Sequence, residues 1–405
     1  MISGSSKNNY RYLLEVIVAG VLISIGTLWV APGPLFPLIM KDLGINNSTV
    51  GLTTSIVPLV VAISSFLSGI LVSRIGLKRT FTIGVFLIST SLLTPLTSNI
   101  IQLVVVRFGF AVGVAMSFPL ANGIVMQWFQ AKEIPLLNGI NMSAASLGNT
   151  IGMFATVGIA MALEWKWALA IYGIFALILA ILWAVLGKDR ISEIQARGKT
   201  GIPAVNMSSI IKHKMTILIG TCAAGPFLAY NGLMSWLPTY YHEHFGISLS
   251  KASFIAGIGN LFGIPICIIG SLFIMRIGLR KPFIILPGLL IGFAAVMAFM
   301  INNQVLLYIS VAVFGMCFFI FQPVIMTMAM EIPGVTPQRA AIVIAIAWAI
   351  GNFAGFLGPL VIGLFKDITG SYLPGLLVCS VFSLSLFIGG FFLPETGTRA
   401  KQQIK

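Results

Sequence analysis

The 405-residue sequence predicts an all-α membrane protein of twelve spanning helices in two pseudo-symmetric bundles of six. Composition is the first reason. Hydrophobic residues make up 58% of the chain, charged residues only 8%, and mean hydropathy is +1.02, a balance that no water-soluble domain of this size keeps in solution. The second reason is a phrase written twice, SRIGLKRT at Ser73 to Thr80 and MRIGLRKP at Met275 to Pro282, 202 positions apart. Each copy follows one long apolar run and precedes another, so each reads as a hairpin between two spans, repeated once per half.

A spanning helix needs about 20 predominantly apolar residues. Segments of that kind fall at 12–38, 48–72, 80–97, 99–128, 135–163, 167–187, 214–240, 251–274, 282–301, 304–330, 337–364 and 371–393. The first is too long for a signal peptide and has no clear cleavage site, so it is expected to stay as a span. The one long polar break, Lys188 to Lys214, divides the chain into an N-terminal bundle at 1–187, a linker at 188–213 and a C-terminal bundle at 214–405. Two further matches run in near register: LGI at Leu43 against FGI at Phe245, and GNTIG at Gly148 against GNFAG at Gly351.

The net charge of +14 could point to nucleic acid, but the cations sort by side of the membrane. With both ends inside, nineteen fall in cytoplasmic segments and only Lys41, Lys166, Lys251 and Lys366 outside, each near an acid: Asp42, Glu164, Glu243 and Asp367. This asymmetry predicts a multi-pass protein of the inner (plasma) membrane with both termini cytoplasmic. The partners expected are the lipid bilayer and a small solute, with no nucleic acid. Cys222, Cys267, Cys317 and Cys379 lie inside apolar runs and read as packing residues, so no disulfide, metal or other cofactor is expected.

Proline and glycine recur within the spans, as in APGPLFP at Ala31 to Pro37 and at Pro58, Pro119, Pro238, Pro265, Pro323 and Pro359. Neighbouring helices can satisfy the backbone groups they free, and small residues let helices approach closely. A duplicated bundle with such helices suggests a transporter that opens alternately to each side of a central site.

These residues resemble the major facilitator superfamily over essentially the whole chain. Its hallmark after the second span is a glycine, an Asp-Arg pair, a second glycine and a basic cluster. The first half offers Gly69, Ser73, Arg74, Gly76, Lys78 and Arg79, and the second Met275, Arg276, Gly278 and Arg280 with Lys281. The resemblance implies that Gly69, Arg74, Gly76, Lys78, Arg79, Arg276, Gly278 and Arg280 form the gating motif. The family's Asp, which helps latch the halves in one state, is replaced by Ser73 and Met275, so a latch would be built otherwise. Arg107 with Gly113 is similar to the family's intramembrane arginine motif, and PETG at Pro394 to Gly397 matches its end of the last span. The stretches at 107–129, 236–241 and 358–372 look most like cyanate-type, monocarboxylate and organic-anion carriers. The paired GN segments are similar to nitrate and nitrite carriers, but no arginine stands in spans two or eight, which counts against nitrate.

Arg107 is the one cation predicted well inside the bilayer, where a charge costs about 2.5 to 3.5 kcal/mol. A substrate anion could supply its partner, or backbone carbonyls could. Asn149 and Asn352 occupy matching positions near the middle of spans five and eleven, where either a midplane site or helix-to-helix hydrogen bonding would use them. Thr27, Tyr230, Asn231 and Asn260 share that central depth, and Trp29, Trp236 and Trp348 could stack on a solute or anchor the helices. No carboxylate lies at midplane depth; Glu15 and Glu331 sit near cytoplasmic helix ends, and a co-transported proton or other ion would use them or ride with a weak-acid solute.

The expectation is a secondary active transporter, working as a monomer, for a small anionic solute. Efflux of amphipathic compounds is the alternative within the class, and a non-transporting membrane sensor the alternative outside it. No cluster of nucleophiles or carboxylates at depth suggests an enzyme, and no charged ring suggests a channel.

Overall fold

The computed structural model describes residues 4–130, 133–189, 214–331 and 337–397. Among them, twelve helical stretches are long and apolar enough to cross a membrane. The predicted linker and the chain end after Gly397 lie almost wholly outside the described residues.

The first span runs Asn9–Leu43, longer than the sequence reading, and is interrupted by its prolines. Helix α1 (Gly4–Val30) gives way to a 3-10 turn at Gly33–Leu35 and then α2 (Phe36–Leu43). Pro34 and Pro37 fall in the first turns of the new segments, where a missing N–H costs nothing. Helix α3 (Asn47–Ile75) starts where the Asn46 side chain accepts the Thr49 N–H, and α5 (Ile100–Trp128) where Asn99 accepts that of Gln102. Between them, α4 (Leu77–Ile88) tightens into 3-10 helix over Ser89–Leu96. There Ser89, Thr90 and Thr94 each bond the carbonyl three residues back at 2.7 Å, a reach that suits the tighter spiral. Helices α6 (Ile134–Leu163) and α7 (Trp165–Leu186) complete the first half.

The second half comprises α8 (Lys214–Phe245), α9 (Leu249–Ile277), α10 (Pro282–Met300), α11 (Gln304–Glu331) and α12 (Pro337–Thr369). Its last span is split into α13 (Leu373–Ser383) and α14 (Ser385–Phe392). The packing repeats as the sequence does. In the first half α1 lies on α6, and α5 on α3 and α4; in the second, α8 lies on α12, and α11 on α9 and α10. The halves meet through α3 against α12 and α6 against α9, two contacts exchanged by the same pseudo-twofold relation.

Close approach explains the glycines of the first GN segment: a Cβ on Gly148 would overlap the Ile23 carbonyl of α1, and one on Gly152 the Thr27 carbonyl. In the second segment a Cβ on Gly355 would crowd the Asn231 amide of α8, whereas Gly351 faces only the Phe227 ring. One polar group is answered inside the second half: Trp236 Nε1 donates to the Pro359 carbonyl at 2.8 Å, and this indole does not line the cavity between the halves. Outward, Ile63, Phe108, Val185, Phe273 and Phe392 are exposed, as a surface solvated by lipid tails requires.

The repeated hairpins lie at one end of the bundle, called here the basic end. Gly76 and Gly278 turn with φ of 86° and 68°, the left-handed region that side chains avoid, which is the physical need behind both motif glycines. Gly69 lies within α3, with its surroundings, like the side chains of Ser73 and Met275, outside the described residues. Arg74, Arg79 and Arg276 are exposed. Acids from later in the chain stand in for the missing Asp: Asp189 Oδ1 accepts the Lys78 N–H at 2.8 Å, and Glu395 accepts those of Arg280 and Lys281 at 2.7 and 3.0 Å. Arg280 is buried and paired with Glu331 at 2.9 Å, and Thr396 donates to the same carboxylate at 2.7 Å. These contacts stay within each half.

At the opposite, near-neutral end the cations bond groups other than the acids nearest them in sequence. Lys166 pairs with Asp42 at 3.2 Å and Lys366 with Glu243 at 3.6 Å; adjacent residues on a helix, such as Lys366 and Asp367, point apart. Lys251 instead donates to Gln304 at 3.4 Å. Asp367 crosses between the halves to cap α3, accepting the Asn47 and Ser48 N–H groups at 3.1 and 2.8 Å and Asn47 Nδ2 at 2.8 Å. Tyr372 donates to Glu243 at 3.0 Å and lies 3.3 Å from Asn47 Oδ1. Burial first, then the Glu243 carboxylate, push its phenol above the ordinary tyrosine value, so it remains a donor.

Candidate functional site

A cavity of about 730 Å³ lies between the halves. From the first half it is lined by α1 at Ile25, Gly26 and Trp29, by α3 at Val61, and by α5 and α6. From the second, α8, α11 and α12 line it. Its α11 and α12 walls descend to Met330 and Ala340, at the basic end, so that is where it opens. Its closed end is near Trp29, whose Nε1 donates to Asn231 Oδ1 at 3.0 Å across the halves. Beyond that lies the Asp367 and Asn47 contact at the near-neutral end.

Four of the seven residues expected at a solute site line this space: Asn149, Tyr230, Asn231 and Asn352. Asn149 Nδ2 donates to the Tyr230 hydroxyl at 3.1 Å, and that hydroxyl donates to Asn260 Oδ1 at 2.7 Å, a relay joining α6, α8 and α9. The Tyr230 ring is stacked on Phe318 at 3.8 Å, which fixes its plane. Asn352 Nδ2 bonds its own helix at Trp348 O, 2.9 Å away, and its carbonyl oxygen has no hydrogen-bond partner among the described residues.

The other three do not line it. Thr27 donates to Ile23 O at 2.9 Å and Gly148 O at 3.0 Å, joining α1 to α6. Asn260 is fully buried behind Tyr230. Arg107 is 1% exposed and bonds backbone: Nε to Thr53 O at 2.9 Å and Nη1 to Leu28 O at 2.7 Å, with its guanidinium 4.7 Å from the Phe110 ring. It thus ties α5 to α3 and α1 inside the first half. Of the two ways its charge could be met, this conformation uses carbonyls for Nε and Nη1, while Nη2 is buried with no hydrogen-bond partner among the described residues.

Two lining amides were not singled out from sequence, Asn122 on α5 and Gln322 on α11. They stand 200 positions apart, close to the repeat offset, and that near-duplication was the available signal. Gln322 Nε2 bonds Phe318 O at 3.2 Å, and the Asn122 amide has no hydrogen-bond partner among the described residues. Trp29 and Trp348 also line the space, together with Phe118, Phe227 and Phe319. Among the described residues, no lining side chain carries a charge. The cavity therefore offers amide, indole and phenol groups to oxygen atoms and aromatic walls to an apolar body.

Sequence and structure comparisons agree with this architecture. The chain is 25% identical to a hexuronate transporter of Bacillus subtilis, covering 98% of this chain and 99% of that one. It is also 25% identical to a quinolone resistance transporter of Acinetobacter baumannii, covering 85% and 84%. The crystal structure of a D-xylose-proton symporter superposes with a TM-score of 0.76 at 16% identity, over 96% of this chain and 98% of that one. These similar proteins are transporters, not enzymes. The family profile of the Major Facilitator Superfamily matches residues 18–359, and with twelve spans in two six-helix bundles around a central cavity, the chain belongs to that superfamily.

Proposed function

We propose that the chain is a secondary active carrier that moves a small organic acid of amphipathic build by alternating access. The observation that carries this reading is the cavity between the halves, open at one end and sealed at the other. Rocking the halves about α3–α12 and α6–α9 would exchange which end is open. The positive-inside rule assigns the basic end, and with it both termini, to the cytoplasm of an inner-membrane protein, so the conformation described here faces inward.

The organic acid is suggested by the hexuronate transporter among the relatives. The amphipathic body is suggested by the aromatic lining and by the quinolone resistance transporter. In this scheme Asn122, Asn149, Gln322 and Asn352 bond the oxygens of the solute, Trp29 and Trp348 flank its body, and Arg107 is a strut that holds the first half rigid. The uncharged lining also favours a second reading, efflux of amphipathic compounds. A thermal-stabilisation screen of the purified protein with glucuronate, 4-hydroxybenzoate, a fluoroquinolone and a cationic dye separates the two, because a ligand bound by the folded state raises stability by mass action. Stabilisation by either of the two simple acids, reduced in Asn352→Ala, supports the organic-acid carrier. Stabilisation by the dye alone replaces it with the efflux reading.

A further inference from the structure

Glu15 lies on α1, six residues inside the start of the first span at Asn9, or about 9 Å along the helix from the basic end. It is 6% exposed, and among the described residues neither carboxyl oxygen has a hydrogen-bond partner within bonding geometry. The Asn141 side chain of the facing helix α6, 1% exposed, stands against this carboxyl, and neither of its amide atoms meets a partner in full hydrogen-bonding geometry among the described residues. One turn earlier on α6, Asn138 Oδ1 is also buried without a partner. A buried ionisable group in a membrane bundle is costly and calls for a partner.

No cation supplies one among the described residues. Arg11, one turn away on α1, gives Nη1 to Glu133 at 3.0 Å and Nη2 to the Tyr12 hydroxyl at 2.9 Å. Of the charged groups on the other elements packed against α1, Lys188 after α7 sits over Tyr10, and Arg74, Lys78 and Arg79 belong to the hairpin between α3 and α4; none forms an ion pair with Glu15. The Lys7 side chain and Lys132 lie outside the described residues.

The chemistry of the four orphan atoms selects one occupant. An ionised carboxylate offers acceptors only, so it can satisfy Asn141 Nδ2 but turns like oxygen toward Asn141 Oδ1. A protonated acid has one donor and one acceptor, which match the amide's acceptor and donor in a reciprocal pair. We propose that Glu15 is a proton-binding site of the carrier, with Asn141 as its partner, and that it is occupied while the cavity is open at the basic end. The proposal rests on the alternating-access reading, since a proton held more tightly in one conformation biases the equilibrium toward it by linkage. Lowering the pH then favours the basic-end-open state, by at most about tenfold in population ratio per pH unit for one site.

Two measurements on the full-length protein in lipid test this without a cargo. Infrared difference spectra at neutral pH should show the carbonyl stretch of a protonated carboxylic acid, absent in Glu15→Gln and shifted in Asn141→Val. Spin-label distances between Gln130→Cys and Lys214→Cys, exposed positions on opposite halves at the basic end, should redistribute with pH in the otherwise wild-type protein and hold still in Glu15→Gln. A Glu15→Gln spectrum superimposable on wild type, or pH responses that coincide in the two proteins, overturns the proposal. Because neither readout uses a solute, failure here is distinct from failure of the transport reading.

Discussion

The two ends of the bundle are held by different kinds of contact. At the near-neutral end, Asp367 and Tyr372 of the second half bond Asn47 and Ser48 of the first, so polar contacts cross between halves. At the basic end, Arg11–Glu133, Arg280–Glu331 and the caps from Asp189 and Glu395 all join residues of one half. The difference separates stiffening from gating. Contacts within a half survive rigid-body rocking and make each half a lever, whereas contacts between halves must break for the cavity to change sides. The replacement of the family's motif Asp by Ser73 and Met275 fits this division, because the acids that serve the hairpins here bind within their own half.

The largest effect is expected where a lever is held from inside. Arg107→Ala removes two charge-assisted bonds to backbone carbonyls and should cost about 3 kcal/mol of stability, read by thermal unfolding of the purified protein. Arg107→Lys, a point charge with no fork, should recover only part of it. Unchanged unfolding with abolished uptake would show instead that Arg107 serves the solute, and would remove it from the lever.

The gate comes next. Asp367→Ala deletes three hydrogen bonds across the near-neutral end, and at about 2 kcal/mol in all it should shift the ratio of conformations by roughly thirtyfold. The population with the basic end closed should grow, seen as a shorter distance between labels at Gln130 and Lys214. An unmoved distance distribution would mean that the cross-half contact does not gate.

How much of this was legible in the sequence follows from what the solvent reveals. The twelve spans and the duplicated hairpins are written in apolar run length and in an offset of 202, which depend on nothing but the chain. The break at Pro32 to Pro37 was visible as composition but not as a change of helix, because proline is tolerated equally in a kink and in a first turn. Cavity membership was harder. In water a helix shows its buried face by contrast, but here lipid and protein interior are both apolar, and α5 is apolar nearly all round. Asn149 and Asn352 stood out because they are paired in obvious motifs, while Asn122 and Gln322 passed unnoticed. Thr27 and Asn260 share the depth of the cavity, yet their helices turn them toward neighbours.

That distinction gives a smaller, sharper prediction. Asn352→Ala should weaken the affinity of a solute found by the thermal screen by about 1 kcal/mol, roughly fivefold in Kd, without moving the ratio of conformations. Thr27→Val should do the reverse in kind, lowering stability through the lost bond to Gly148 and leaving affinity alone. Equal losses of affinity in both variants would mean that the wall of the cavity extends to α1 at Thr27.

The smallest effect tests the gate by its neighbour. Lys366 sits one residue from Asp367, but its partner Glu243 is in the same half, at 3.6 Å with both side chains partly exposed. An exposed pair of that kind contributes about 0.5 kcal/mol or less, screened further by salt. Lys366→Ala should therefore lower thermal stability slightly, more at low ionic strength than at high, and leave the label distances at the basic end unchanged. Asp367 and Lys366 share a helix turn and a depth, so what separates them is the half that each contact reaches. If Lys366→Ala moved the conformational ratio as far as Asp367→Ala does, the deciding quantity would be charge at the near-neutral end and not which half a contact reaches, and the separation of levers from gate would fail.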